Sequence, residues 1–319
     1  MAEATAALPN ARTARFSFDR LMRYLGRFWR QYIVVVPYLW LLLFFLVPFA
    51  IVLKISLAES IFAQPPYKPL VEWTEGATLQ ISLTFGSFSY LIDDPLYVLG
   101  YLNSLKIAAI STVICLILGY PMAYGIARAE PRTRNLLLLL VILPFWTSFL
   151  LRIYAWMGML NKHGVINNVL VGLGILDEPI TMMNTDFAVY IGIVYSYLPF
   201  MILPLYANLE RLDISLNEAA MDLGSRPWRV FLDVTLPQSI PGIAAGSLLV
   251  FIPATGEYVI PALLGSPSSP MIGRVLFDEF FSNRDWPVAS AVAVALLILL
   301  VAPIMFFQHY QLREAEAGK

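Results

Sequence analysis

The sequence predicts an all-α polytopic membrane protein with six transmembrane helices. The 319 residues are 59% hydrophobic and only 13% charged, whereas an average soluble domain is roughly 45–50% apolar and about 25% charged. A soluble globule of this composition would expose large apolar patches, and a disordered chain would be less hydrophobic and more charged. The apolar residues also gather into long runs, which leaves integral membrane proteins as the class.

Six apolar runs are long enough to cross a bilayer, whose hydrocarbon core of about 30 Å needs about 20 residues of helix. They are Ile33–Leu53, Leu102–Ala127, Leu136–Leu160, Phe187–Leu209, Ile240–Leu263 and Val288–Phe307. The first run is too long for the core of a signal peptide, which has about 7–15 residues, and no clear cleavage site follows it. We therefore expect it to be a retained helix.

Basic residues concentrate on one side of these spans. Fourteen of the 21 Lys and Arg residues lie before the first span, in the loops after the second and fourth spans, and after the sixth span. Because short loops rich in Lys and Arg stay in the cytoplasm, we expect both termini there. Residues 15–31 also show the pattern of a basic amphipathic helix, which is typical of a segment lying in the membrane interface.

The chain is predicted to form one membrane domain, without a repeat or a soluble-domain linker. Its expected parts are a cytoplasmic N-terminal segment 1–32, a transmembrane domain 33–307 and a cytoplasmic tail 308–319. Within the transmembrane domain, 54–101 is a long outward loop and 210–239 a cytoplasmic loop. The outward loops hold 11 of the 22 acidic residues. They form either a negative vestibule that enriches cations or ordinary solvated loops.

Composition and motifs exclude several functions. A net charge of −1 leaves no basic excess to bind nucleic acid. One cysteine, Cys115, excludes an internal disulfide, and with two histidines it is too little for a zinc site. The sequence contains no HExxH, GxSxG or GxxxxGK[ST] motif. We therefore predict no catalytic residue, no metal and no cofactor on this chain, which has no P-loop to bind ATP.

Glu257 lies inside the fifth predicted span, between Pro253 and Pro261. A carboxylate in hydrocarbon costs roughly 2.5–3.5 kcal/mol, so it normally faces a cavity or a partner. Two interpretations are open. Glu257 lines a transport pathway and meets a cationic substrate, or it pairs with Arg152 of the third span or with another subunit.

Aromatic residues are the other candidates for such a pathway, because aromatic faces attract ammonium groups by about 0.5–2 kcal/mol. Aromatic residues of the third and fourth spans are Trp146, Tyr154, Trp156, Tyr195 and Tyr197, and Tyr258 follows Glu257. All of these except Tyr197 are taken as candidate pathway residues. An interfacial aromatic belt is the alternative for most of them. Nine prolines inside the spans indicate bent helices, and the GxxxG pattern at Gly242 and Gly246 favours close helix packing.

The cytoplasmic loop after the fourth span carries the most specific pattern. Its segment Glu218-Ala219-Ala220-Met221-Asp222-Leu223-Gly224 predicts a short helix with a small-residue face, which Gly224 can end in a left-handed conformation. Pro227 can begin the next helix. The small side chains permit close docking into a groove of another protein, and a helical hairpin without a partner fits the physics as well.

These residues resemble the EAA loop of bacterial ABC-importer permeases, EAA-x3-G-x9-I-x-LP. The spacing agrees at Glu218, Ala219, Ala220, Gly224, Leu236 and Pro237. Val234 replaces the usual isoleucine. In that family the loop contains the coupling helix that docks on the ATPase subunit. The resemblance implies this role for Glu218, Ala219, Ala220, Asp222, Leu223 and Gly224.

Further segments are similar to the polyamine branch of this family, and to its putrescine permeases most of all. They are residues 93–97, 144–156, 251–261 and 283–290. The resemblance implies a type I ABC-importer permease fold in a bacterial inner membrane. It also implies import of polyamine by alternating access, with putrescine as the first candidate and spermidine as the second. Substrate would enter a transient cavity near Glu257 and the aromatic residues.

The resemblance implies the partners as well. They are a second, homologous permease subunit, two ATPase subunits that hold ATP and Mg²⁺, and a periplasmic polyamine-binding protein, with the lipid bilayer around the spans. An ion-gradient-driven secondary transporter of an organic cation is the alternative, and inverted repeats with broken helices would favour it. A membrane enzyme or scaffold is a third class. The missing catalytic motifs oppose the enzyme, and the mid-span Glu257 opposes an inert scaffold.

Overall fold

The computed structural model describes residues 33–74 and 78–317. The predicted N-terminal segment 1–32, with its basic amphipathic helix, lies outside the described residues. The chain falls into two units, one that ends at Lys54 and one that begins at Ile55. Helix α1 (Ile33–Ser56) accounts for the described part of the first unit. It contains a π-helical stretch at Leu42–Leu46 and exposes nearly all of its large apolar side chains, as expected of a helix that meets hydrocarbon.

The second unit is built from helices and one hairpin. The hairpin lies in the predicted outward loop and pairs β1 (Val71–Thr74) with β2 (Thr78–Ile81) in antiparallel fashion. The helices of its first half are α2 (Gly86–Asp93), α3 (Pro95–Arg128), α4 (Pro131–Ile142), α5 (Phe149–Leu160) and α6 (Val165–Gly172). Those of its second half are α7 (Asp186–Leu209), α8 (Ile214–Asp222), α9 (Pro227–Gln238), α10 (Ile240–Thr255), α11 (Val259–Leu264), α12 (Ile272–Phe277) and α13 (Trp286–Ala317).

Four straight helices are long and apolar enough to cross a membrane, namely α1, α3, α7 and the Trp286–Met305 part of α13. Two bent helix pairs satisfy the same criteria. Pro131–Trp146 and Phe149–Gly172 meet at an angle of 89°, and Pro227–Gln238 and Ile240–Thr255 meet at 63°. The prediction of six spans is confirmed when each bent pair counts as one span.

The predicted third and fifth spans are not continuous helices. The run Leu136–Leu160 is broken at Thr147 and Ser148, which have extended backbones. Pro144 precedes this break. Proline lacks an N–H and cannot continue the α-helical hydrogen bonds, and the chain there tightens into a 3₁₀ turn at Leu143–Trp146. The run Ile240–Leu263 stops at Thr255 and begins again at Val259. The length of an apolar run predicts that a segment enters the membrane, but it does not show whether the segment is one straight helix or is bent.

Helices α3, α7 and α10 pack together at the centre of this unit. Glycines bring them close. A Cβ atom added to Gly119 of α3 would lie 3.0 Å from the side chain of Met201 on α7, and one added to Gly242 of α10 would lie 2.7 Å from that of Asn208 on α7. Gly246 contacts Met201 in the same way. The GxxxG pattern therefore joins α10 to α7 within one chain, which confirms the predicted role in helix packing.

Replacing Gly246 by alanine should weaken this contact. The new Cβ would lie 3.0 Å from the Met201 carbonyl oxygen and 2.8 Å from its sulfur, and a backbone oxygen cannot move aside as a side chain can. We expect the free energy of unfolding to fall by about 1–3 kcal/mol, measured as a lower thermal midpoint in detergent. Gly125→Ala is the matched control, because no atom lies within 4 Å of the new Cβ there. Equal midpoints for both variants would contradict this account.

Candidate functional sites

Helix α8 carries the pattern that the sequence marked as most specific. Asp213 begins it, since its Oδ1 accepts a hydrogen bond of 2.9 Å from the Ser215 N–H. Hydrogen bonds from the Ser215 backbone and side chain hold the pKa of Asp213 below its usual value. At the other end Gly224 has a φ of +86°, and its N–H donates to the Met221 carbonyl at 2.8 Å. The predicted left-handed end of the helix at Gly224 is confirmed.

The surface of α8 and the residues after it is unusually apolar, although α8 itself lies outside the candidate spans and α9 is the first half of the second bent pair. No residue of α8 is buried, and Leu223 is 88% exposed. We call the exposed apolar side chains of this segment the coupling patch, and they are Ile214, Leu216, Met221, Leu223, Trp228 and Leu232. Exposed patches of this kind mark surfaces that bind another protein or a membrane.

The six predicted coupling residues share this one short segment. Glu218, Ala219, Asp222, Leu223 and Gly224 are exposed and Ala220 is half-buried. One side-chain hydrogen bond joins α8 to α9, and one ion pair joins the start of the loop to α4. The Thr235 hydroxyl of α9 donates to Asn217 Oδ1 of α8 at 3.4 Å. Arg134 of α4 forms a 2.5 Å ion pair with Glu210 at the start of the loop. Helix α8 is thereby joined to α9, which continues into α10.

Glu257 lies in the break between α10 and α11 and is 8% exposed. Its Oε1 accepts the backbone N–H groups of Val259 at 3.0 Å and Ile260 at 3.4 Å. Its Oε2 accepts a short hydrogen bond from the hydroxyl of Tyr197 on α7. The carboxylate therefore caps the first turn of α11 and ties the break to the neighbouring span.

Arg152 does not pair with Glu257. Among the residues that the structure describes, no ion pair joins them. The Arg152 guanidinium lies 5.6 Å from the ring centre of Phe145 and 5.7 Å from that of Phe149. Its buried Nε has no hydrogen-bond partner within the described chain. The interpretation that places Arg152 opposite Glu257 is therefore wrong, because the bend after Pro144 turns Arg152 toward its own aromatic neighbours.

The structure does not gather the five predicted pathway aromatics into one place. Tyr258 stacks on Phe277 with ring centres 3.9 Å apart. Trp156 meets Tyr195 edge to face at 5.5 Å. Two others, Trp146 and Tyr154, are more than half exposed.

Tyr197 is the aromatic residue that contacts Glu257, and it lies on the opposite face of α7 from Tyr195. Two residues apart on an α-helix are about 200° apart around its axis. The pattern of aromatic types alone does not separate the two. Position around the helix axis does separate Tyr197 from Tyr195. Tyr197 shares a face of α7 with Tyr190, seven residues earlier, whereas Tyr195 does not.

Comparison with known proteins decides the family. Residues 116–314 match the family model described as "Binding-protein-dependent transport system inner membrane component". The chain belongs to this family. The permease is 38% identical over 294 residues to the spermidine/putrescine transport system permease protein PotB of Haemophilus influenzae, covering 91% of this chain and 96% of the relative. It is 42% identical over 226 residues to the same-named protein of Escherichia coli K12, covering 71% and 82%.

Solved structures agree on the fold. The permease superposes on a chain of the bacterial alginate ABC transporter, solved in complex with an alginate pentasaccharide-bound periplasmic protein. The TM-score is 0.70, with 18% identity and with 92% of this chain and 98% of that chain covered. The predicted type I ABC-importer permease fold and the resemblance to the family are confirmed. The chain is an inner-membrane transport component rather than an enzyme. A permease of this class works with an ATPase and a substrate-binding protein.

Proposed function

We propose that this permease, together with a second homologous permease subunit, forms the transmembrane path of an importer for the polyamines putrescine and spermidine. The observation that carries the proposal is the identity of 38–42% with permeases whose names state both substrates, over most of each chain. The sequence favoured putrescine, and spermidine stands beside it because the relatives' names include both. The buried carboxylate of Glu257 supports a cationic substrate, since a charge of this kind in a span normally faces a pathway or a partner.

The coupling patch is the docking surface for one of two ATPase subunits, which bind ATP and Mg²⁺. Exposed Leu223 at the end of α8 would enter a groove of that subunit, and the small side chains of Ala219 and Ala220 allow close approach. Motion of the ATPases then moves α8. The Thr235–Asn217 hydrogen bond carries the motion to α9, and the chain continues through α10 to the break at Glu257. The coupling patch and the substrate path are thus linked by one bent helix pair.

At the break, Glu257 and Tyr197 would meet a substrate ammonium group during alternating access. The two amides of α11 fix the orientation of the carboxylate, so the site is arranged before substrate arrives. Trp146, Tyr154, Trp156, Tyr195 and Tyr258 would contribute aromatic faces only after the helices rearrange. A periplasmic binding protein delivers the polyamine on the outer side, and both termini of the permease face the cytoplasm. A doubly charged diamine gains roughly 4.6 kcal/mol per 100 mV on entering a negative interior. ATP is therefore needed mainly to set the direction of transport and to reach a steep concentration gradient.

The test is uptake of labelled putrescine and spermidine into proteoliposomes that hold the permease, its partner permease, the ATPase and the binding protein. We expect uptake only with internal ATP, with each polyamine competing against the other. Uptake driven by an imposed ion gradient without ATP would support the secondary-transporter alternative instead. A complex that hydrolyses ATP but moves neither polyamine would remove the proposed substrate and leave the family assignment intact.

A further inference from the structure

A large cavity lies in the loop region predicted to face outward, apart from the Glu257 carboxylate. Its volume is about 1440 Å³, and three stretches of chain surround it: 58–66, 84–90 and 279–288. The charged residues of its wall are Glu59, Glu279, Arg284 and Asp285. Three carboxylates against one guanidinium make the wall negative, and such a cleft raises the local concentration of cations.

Two of the three carboxylates of the wall are held in place by hydrogen bonds. Glu279 is 8% exposed and accepts hydrogen bonds from the Tyr97 hydroxyl at 2.9 Å and from Asn283 Nδ2 at 3.0 Å. Asp285 Oδ1 accepts the Val288 N–H at 3.1 Å and so begins α13. None of the ion pairs within the described ranges joins Arg284 to these carboxylates. Glu279 and Asp285 are therefore fixed in position, and no salt bridge in the part of the chain that the structure describes neutralises them.

The cavity wall continues inward as a series of aromatic rings, which we call the ring ladder. It consists of Trp286, Phe280, Phe281, Phe277 and Tyr258. The ring centres of Trp286 and Phe280 are 5.3 Å apart, and those of Phe280 and Phe281 are 4.9 Å apart. The ladder then continues from Phe281 to Phe277 at 4.5 Å and from Phe277 to Tyr258 at 3.9 Å. The first three rings line the cavity, and the last is the neighbour of Glu257.

Helix α12, which carries Phe277, lies directly against the break at Glu257. A Cβ atom added to Gly273 of α12 would lie 2.4 Å from the Gly256 carbonyl oxygen and 2.6 Å from that of Glu257. The Ile272 N–H also donates to the Ser104 hydroxyl of α3 at 2.7 Å. The ring ladder is thus anchored at its inner end, at the break, where Tyr258 directly follows Glu257 in the chain.

We propose that the cavity and the ring ladder form an entry site for alkylammonium cations, which passes polyamine from the outer mouth to Glu257. This inference rests on the proposed function. Aromatic faces attract ammonium groups, and a series of them offers similar, modest attraction at each step, which favours transfer over retention. Phe280 and Phe281 are exposed, whereas Phe277 and Tyr258 are half-buried, so the ladder leads from an exposed rim to less accessible rings that suit a small ligand better than a protein surface. A small organic cation is therefore the occupant that the geometry favours.

The experiment changes the electrostatics of one ring without changing its size. Phe281 is replaced by phenylalanines with increasing numbers of ring fluorines, which progressively remove the negative face of the ring. In the reconstituted complex with binding protein, we expect putrescine and spermidine uptake to fall stepwise, by about tenfold over the series. Uptake by the Phe281→Leu variant, which keeps an apolar side chain but no ring, should fall as much as uptake by the most fluorinated variant. Phe85 is the matched control, because it is exposed and, although its neighbours Thr84 and Gly86 line the cavity, its own side chain belongs neither to the lining nor to the ladder.

A second readout separates cation transfer from protein docking. Stimulation of ATP hydrolysis by the binding protein reports docking, and we expect it to remain unchanged in the Phe281 series. A parallel loss of stimulation and uptake would identify the cavity as a protein-docking surface and overturn the inference. Full uptake by the Phe281 variants of an active complex would also overturn it, with the proposed function intact. A wild-type complex that hydrolyses ATP without moving polyamine would instead overturn the proposed function, and this inference with it.

Discussion

Replacing Gly224 by valine is expected to reduce ATP-dependent uptake about tenfold or more, while the permease still assembles in the membrane. The backbone at Gly224 has a φ of +86°, a conformation that costs an L-residue roughly 1–2 kcal/mol and a β-branched one more. A difference of about 1.4 kcal/mol is a factor of ten in an equilibrium. No atom lies within 4 Å of the added Cβ. The loss of uptake therefore comes from a changed backbone at the end of α8, and from weaker docking of the proposed ATPase partner there, rather than from a steric clash within the permease.

Two variants control this result. Gly174→Val imposes a similar backbone cost, because Gly174 has a φ of +70° with open space around it, but it lies far along the sequence from α8. We expect it to retain uptake. Gly224→Asn should be milder than valine, since asparagine tolerates the left-handed region. Uptake and co-purification of the ATPase are both measured. Retained uptake in Gly224→Val, or an equal loss of uptake in Gly174→Val, would contradict the proposal that α8 couples the permease to the ATPase.

Glu257→Gln is expected to lower uptake by about tenfold to a hundredfold without loss of assembly. Glutamine matches the size of glutamate and can still accept a hydrogen bond from an α11 amide. It loses the charge that strengthens the Tyr197 hydrogen bond and that attracts an ammonium group. Hydrogen bonds to charged groups contribute about 1.5–3 kcal/mol, and every 1.4 kcal/mol or so is tenfold. The measurement is the initial uptake rate in proteoliposomes at saturating binding protein.

Tyr197→Phe separates the two contributions of Glu257. It removes one donor but leaves the charge, so we expect a smaller loss of uptake than in Glu257→Gln. Glu178→Gln is the matched control for the chemical change, because Glu178 is exposed in the loop before α7. Unchanged uptake kinetics in Glu257→Gln would reduce Glu257 to a structural cap of α11.

Local features were predictable from the sequence, whereas contacts between distant segments were not. The apolar runs predict the spans because burial in hydrocarbon needs only length and composition. The helix at α8 and its end at Gly224 follow from residues within one turn of each other. The Tyr197–Glu257 hydrogen bond joins positions 60 residues apart, and it depends on how α7 and α10 pack. No local pattern encodes that packing.

The scattered aromatics have the same explanation. Trp146, Tyr154, Trp156 and Tyr195 were selected for their chemistry, and chemistry does not decide which face of a helix points inward. The bend at Thr147 and Ser148 adds to the error, because hydropathy is averaged over a window and is the same for a straight and a bent segment. Phe277 ends α12, and Phe281 lies in the π-helical stretch Asp278–Asn283 that continues it. The Phe277–Phe281 step of the ring ladder is therefore readable from the sequence as i and i+4 on one helical segment. The step to Trp286 is not, since it crosses the left-handed turn at Arg284.

The two bent helix pairs also decide a matter of parity. Each crossing carries the chain to the other face of the membrane, so an even number of crossings returns it to the face where it started. Four straight helices give an even number, and so do four with two bent pairs. Only one pair crossing while the other turns back would place the start of α1 and the end of α13 on opposite faces. The face on which a reporter fused beyond α13 lies therefore tells whether the two bent pairs, with bends of 89° and 63°, behave alike or whether only one of them crosses the membrane.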